Sequence, residues 1–184
     1  MLCGGRHDFM FLDRADAGRQ LADTLLTKHI TADLVIGLTR GGVAVSAEIA
    51  KKLKTSHTAL AVTKVSSPED PEFAVGAVVQ GDQQTDVQNK TIMLADDGAA
   101  TGWTMYEAVR WVRRHNARKI IVVLPVAPAE ALDKLRGVAD DVIVLTIPED
   151  FRSVGEYYRN FPQLTDQDVV ELTRNRVIPI ERSE

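Results

Sequence analysis

TIMLADDGAATGWTM, residues 91–105, is the stretch on which the fold turns. Ile92, Met93, Leu94 and Ala95 form a short apolar run between polar flanks, the pattern of a parallel strand covered on both faces. Asp96 and Asp97 then fall at the carboxyl end of that strand, where open α/β sheets take their ligands. Gly98, Ala99, Ala100 and Gly102 are small enough for backbone amides to approach a ligand. A helix predicted from Trp103 to His115 aims its N-terminus at the same place, and anions favour that end. Thr101 and Thr104 add hydroxyl donors, so a phosphate collects several charge-assisted hydrogen bonds of about 1.5–3 kcal/mol each. The paired carboxylates accept from sugar hydroxyls. The plainer alternative is an ordinary turn with Thr101 as N-cap and solvated aspartates. An adjacent acid pair followed by two threonines three residues apart favours the ligand. The chain carries neither G-x-x-x-x-G-K-[ST] nor G-x-G-x-x-G after a strand, which argues against a P-loop or dinucleotide fold.

The run ILADDGAATGWT, with Met93 as an extra strand residue, resembles the phosphoribosyl pyrophosphate (PRPP) motif of type I phosphoribosyltransferases. Residues 13–22 (DRADAGRQLA), 35–50 (VIGLTRGGVAVSAEIA), 71–78 (PEFAVGAV) and 154–162 (VGEYYRNFP) resemble a bacterial branch of predicted members of that family. The similarity covers nearly the whole chain. It implies that Asp96 and Asp97 contact ribose hydroxyls and that the loop Ala99, Ala100, Thr101, Gly102, Trp103 and Thr104 wraps the 5′-phosphate. It also implies a homodimer.

A chain of 184 residues with 45% hydrophobic content can bury a core and reads as one domain, core about 1–147. Its formal charge of −4 and pI near 5.6 give no global attraction to nucleic acid or an anionic membrane, so any anion site is local. One cysteine, Cys3, excludes an internal disulfide framework. The N-terminal stretch is too polar for a signal peptide and no apolar run reaches membrane-span length, so a cytoplasmic protein is expected.

Asp13 is the candidate N-cap of a helix to His29 whose core stripe is Ala17, Leu21, Leu25 with Ala22 and Leu26. Strands are expected at 34–38, 58–64, 73–80, 91–95, 120–126 and 141–147, with helices at 43–53, 103–115 and 128–136. This alternation predicts an α/β fold: a mostly parallel sheet flanked by helices on both faces. From Pro148 the chain becomes aromatic and charged, with Phe151, Tyr157, Tyr158 and Phe161 before an amphipathic stretch at 165–175. By resemblance, 148–184 is the candidate hood over the acceptor. The alternative is that these aromatics fasten a terminal helix to the core.

Thr39, Arg40, Gly41 and Gly42 follow one strand and open the next helix, offering amides and a guanidinium at the carboxyl edge. Pyrophosphate fits there, because Arg suits bidentate phosphate contact, and the family uses this loop so, often with a cis peptide that is expected here within 39–41. VSSPEDPE, 65–72, is polar, contains proline and lacks apolar periodicity; it reads as a mobile lid that excludes water. Lys64 at its base reaches pyrophosphate oxygens or is a solvated strand end.

The implied reaction displaces pyrophosphate from C1 of PRPP by a nitrogen acceptor. Arg40 and Mg²⁺ neutralise the leaving polyanion, and Asp96 and Asp97 place the metal directly or through the sugar. Glu72 or Glu69 is the candidate lid base, as an acidic loop residue is in adenine enzymes. Where hypoxanthine-guanine members carry an aspartate base, this chain has Ala100, which cannot exchange a proton. The lid also lacks the lysine of orotate enzymes. Trp103 stands where the family has a small residue; its ring is expected to pack on the core or at a subunit contact, and its backbone amide serves the phosphate if the indole points away from the pocket. His7, His29, His57 and His115 show no ligand spacing and are expected at the surface. Arg110, Arg113, Arg114, Arg118 and Lys119 suit a helix C-terminus. The acceptor is an unidentified base. The competing reading is a non-enzymatic PRPP- or nucleotide-sensing regulator on the same fold.

Overall fold

The computed structural model describes residues 10–38, 40–66, 74–80 and 85–174, with 63–66, 74–80 and 174 as backbone only. In chain order the elements are α1 (Arg14–Thr27), β1 (Leu34–Leu38), α2 (Gly41–Leu53), β2 (Ser56–Ser66), β3 (Ala74–Gln80), β4 (Thr91–Ala95), α3 (Trp103–Arg114), β5 (Lys119–Val126), α4 (Ala129–Arg136), β6 (Asp141–Thr146) and α5 (Asp166–Arg174), with a 3₁₀ turn (Val154–Tyr157) before α5.

Asp13 caps α1, its carboxylate accepting the Asp16 N–H at 2.7 Å. The helix stops two residues before the expected His29, because His29 turns left-handed at φ 53°. The Lys28 and His29 amides bond back to Thr24 and Leu26, a common way to satisfy terminal carbonyls. β2 runs longer than expected and takes in Val65 and Ser66, the first two residues of the expected lid. The remaining lid residues lie outside those described.

The sheet order is β3-β2-β1-β4-β5-β6. Five strands are parallel, and β3 returns antiparallel as an edge. The apolar run of β4 divides by strand periodicity. Ile92 and Leu94 join Leu38, Val122, Met105 and Leu132 under α3 and α4, while Met93 and Ala95 join Val35, Ile121, Leu25 and Ile49 under α1 and α2. Both faces are thus buried, which is why the sequence shows a continuous run and no alternation. Pro125 has no N–H to give, and it falls past the last register pair of β4 with β5, Ala95↔Val123.

From β1 the chain passes through α2 to β2 on one side; from β4 it passes through α3 to β5 on the other. The loops after β1 and β4 therefore diverge at a topological switch point, where a crevice opens at the carboxyl edge. The tail returns to this edge. Phe11 and Tyr158 are buried with ring centroids 5.2 Å apart. The Arg159 and Asn160 amides donate to Phe11 O and Leu12 O, each at 2.9 Å.

Candidate functional site

At the switch point lies a cleft of about 510 Å³, bordered by Asp96, Asp97 and the 98–102 turn, by Arg40 and Gly41, and by Phe161 and Gln163 of the tail. Of the residues expected at the 5′-phosphate, Ala99, Ala100, Thr101, Gly102 and Thr104 line it. Gly102 caps α3 at φ 74°, a left-handed geometry that costs other residues strain. Gly102, and not Thr101, is therefore the N-cap. A glycine N-cap supplies no side-chain hydrogen bond to the first amides of α3, the groups that a helix N-terminus offers to an anion.

Trp103 does not line the cleft. Its ring meets Tyr106 edge-on at 5.4 Å, and the Lys134 ammonium sits 4.1 Å over it. Lys134 also donates to Thr101 O at 2.6 Å, so α4 braces the turn from outside. Partial burial pushes that ammonium below its ordinary value. The indole thus packs between α3 and α4, away from the cleft.

Gly41 and Gly42 meet the acid pair directly. A Cβ on Gly41 would overlap Asp97 Oδ2; one on Gly42 would lie 2.5 Å from Ala95 O and 2.9 Å from Asp96 Oδ1. Only glycine lets the N-terminus of α2 approach β4 so closely. Asp96 Oδ1 accepts the Asp97 N–H at 2.9 Å, fixing one carboxylate relative to the next. Arg40 is exposed and pairs with Asp166 at 2.9 Å. Thr39 and Glu72 lie outside the described residues, as do Glu69 and His7; of the span 39–41 expected to hold a cis peptide, Thr39 lies outside them. Lys64 is described only as backbone in β2, paired with Ala77.

Arg14, which sequence reasoning left on a packing helix, proves central. Its Nε donates to Asp97 Oδ2 at 2.7 Å, its Nη1 to Pro162 O at 2.6 Å, and its guanidinium lies 3.7 Å from the Phe161 centroid. Burial pushes the Asp97 carboxyl above its ordinary value against the pull of Arg14. Tyr158, 2% exposed, donates its hydroxyl to Asp97 O at 2.6 Å. Burial and then the Asp97 charge push that phenol far above its ordinary range, so it stays a donor. A signal for Arg14 existed: arginine at the first position of a helix faces the positive end of the dipole and needs a reason. In the sequence Tyr158 and Phe161 show only as an aromatic cluster; in the structure Tyr158 fastens the tail to Phe11 and Asp97, and Phe161 lines the cleft.

His57 departs from the surface expectation: half-buried, its Nε2 lies 2.7 Å from the buried Ser46 Oγ. His29 and His115 are exposed. Arg113 and Arg118 pair with Asp140 and Asp33 at the amino edge of the sheet, consistent with a stabilised helix end.

Among the described residues no group of three His, Cys, Asp or Glu is placed to hold a metal. No helix among them is long and apolar enough to cross a membrane.

A family model described as the phosphoribosyl transferase domain matches residues 12–161. "Putative phosphoribosyl transferase Rv0571c" of Mycobacterium tuberculosis is 33% identical over 88% of this chain and 46% of its own length. The chain spans about half the length of the curated relatives it matches. "Transcriptional regulator GfcR" of Haloarcula marismortui is 27% identical over 66% of this chain and 57% of its own. Among solved structures, the TT1426 protein of Thermus thermophilus superposes with a TM-score of 0.77 at 33% identity, covering 89% of this chain and 97% of that one. A purine phosphoribosyltransferase from Pyrococcus horikoshii shares the fold with a TM-score of 0.57 at 20% identity, covering 81% and 87%.

Proposed function

The chain belongs to the family of phosphoribosyl transferase domains, and from that premise we propose that it transfers phosphoribose from PRPP to a nitrogen acceptor, with Mg²⁺, releasing pyrophosphate. The observation that carries this reading is the meeting of both loops on one cleft, with Gly41 packed against Asp97. The 99–104 turn and the α3 N-terminus hold the 5′-phosphate, and Asp96 and Asp97 accept from the ribose hydroxyls. The 39–42 loop holds the pyrophosphate with Arg40 and Lys64.

At C1 the bond to the pyrophosphate oxygen breaks, its electron pair leaving with that group, while the acceptor nitrogen supplies the pair for the new C1–N bond. Positioning and charge neutralisation do most of this work. The exposed Arg40–Asp166 pair is worth about 0.2–1 kcal/mol, less than charge-assisted bonds to a diphosphate, so Arg40 changes partner when the anion arrives. Two carboxylates suit Mg²⁺, which is held by one or two acids plus substrate oxygens and needs no all-protein cage. Asp96 and Asp97 would hold it there directly or through the sugar, and when bound it neutralises the leaving polyanion. Glu72 is the proposed base for the acceptor proton. The tail from Pro148 forms the hood on the acceptor side, and a homodimer follows from the family resemblance.

A second reading, a PRPP- or nucleotide-sensing regulator, draws support from the similarity to a protein named as a transcriptional regulator. Calorimetric titration with PRPP, with and without Mg²⁺, tests the donor site without needing the acceptor. Saturable Mg²⁺-dependent binding followed by pyrophosphate release with a base supports the enzyme. Binding without turnover across a panel of bases favours the regulator, and absence of PRPP binding by folded protein overturns the enzyme and leaves a nucleotide-sensing or repurposed site.

A further inference from the structure

Arg14 stands at the first helical position of α1, where its charge opposes the helix dipole at a cost of about 0.3–1 kcal/mol. Its side chain is only 10% exposed. A guanidinium is withdrawn from water only with partners, and these come from two places, 83 and 148 residues along the chain. One is the Asp97 carboxylate; the other is the tail, through Pro162 O and the face of Phe161. The planar fork allows this division, since Nε and Nη1 point to different acceptors while the π face rests on a ring. The Tyr158 hydroxyl holds the Asp97 backbone separately. The Asp97 side chain therefore reaches the tail through Arg14.

We propose that Arg14 is a positioning residue that couples the Asp97 carboxylate to the tail wall of the cleft, so that the sugar side and the acceptor side take their arrangement together. The functional meaning rests on the donor-site reading of Asp97. A hydroxyl accepted by Asp97 then steadies Phe161 and Pro162, and by reciprocity an acceptor that displaces the tail loosens the sugar site.

The test is amide hydrogen exchange at Arg159 and Asn160, whose N–H groups bond to Phe11 O and Leu12 O, in a cycle of wild type, Asp97→Asn, Arg14→Met and the double variant without ligand. Asp97→Asn, which weakens the bond to Arg14 and leaves the Asp97 carbonyl in place, speeds exchange about tenfold. Arg14→Met does at least as much, and the double variant is no faster than Arg14→Met. Unchanged exchange in Asp97→Asn, or effects that multiply in the double variant, overturns the coupling. PRPP with Mg²⁺ then slows these amides in wild type and leaves them unslowed in PRPP-bound Arg14→Met; slowing in both also overturns it. If wild type binds no PRPP, the donor-site reading fails while the ligand-free cycle still decides the coupling. Should Arg14→Met not fold, Arg14→Lys takes its place, keeping the charge without the planar fork.

Discussion

At the carboxyl edge of the sheet Asp97 meets Arg14 at 2.7 Å, with side chains 15% and 10% exposed; at the amino edge Asp140 meets Arg113 at 2.9 Å, with side chains 37% and 43% exposed. The partners are alike and the consequences are opposite. At Asp140 burial works against ionisation, but the Ile120 amide and Arg113 outweigh it and hold the carboxyl below its ordinary value. At Asp97 burial wins and the carboxyl is pushed up. The amino-edge pair ties the ends of α3, β5 and β6 together. The carboxyl-edge pair keeps charge in a cleft lined by glycine and helix amides, where a ligand can use it.

Gly41→Ala strikes this difference hardest. Its Cβ would overlap Asp97 Oδ2, so PRPP binding is expected to fall below detection by calorimetry, with thermal unfolding reporting a loss of about 1–3 kcal/mol. Gly137→Ala at the end of α4 is the contrast. There φ is −72° and the new methyl meets nothing closer than 3.4 Å, so stability is expected to hold or rise by about 0.4–1 kcal/mol.

The arginines come next. Arg14→Met breaks a buried pair and is expected to cost about 3–5 kcal/mol in denaturant unfolding, whereas Arg113→Met costs about 0–1 kcal/mol. Equal losses would dissolve the comparison. Asp140→Asn sharpens it through pH. A depressed carboxyl contributes stability above its unfolded value, near 3.8, and loses it as pH falls through the folded value. The variant is therefore expected to be less stable than wild type by about 1 kcal/mol at pH 7 and to converge with it in strong acid, measured by urea midpoints across pH. The smallest effect is that of Trp103→Leu, which is expected to leave PRPP affinity within about threefold, because the indole faces Tyr106 and Lys134.

How much of this was legible follows from the range of each signal. The order of strands and helices, the Asp13 cap and the glycine turn at 98–102 are local, carried by apolar runs, capping residues and glycine over a few positions. The ends of α1 and β2 moved by two residues because a left-handed His29 and a pairing with β3 fix them, and neither shows in periodicity. Of the expected site, Asp96, Asp97, Arg40, Gly41 and the 99–102 turn come together as the two loops predicted. Arg14 showed only as a cation at the unfavourable end of a helix and Tyr158 only as one ring of a cluster, since their partners are 83 and 61 residues away.

By itself the sequence determined the α/β alternation and the acid pair at the end of a buried strand, because backbone periodicity and turn chemistry are written in neighbouring residues. Tertiary structure alone decided which arginine faces that pair, that the tail walls the cleft, and that two similar Asp–Arg pairs differ in protonation tendency. Burial and partner choice depend on residues far apart in the chain, and only packing brings those together.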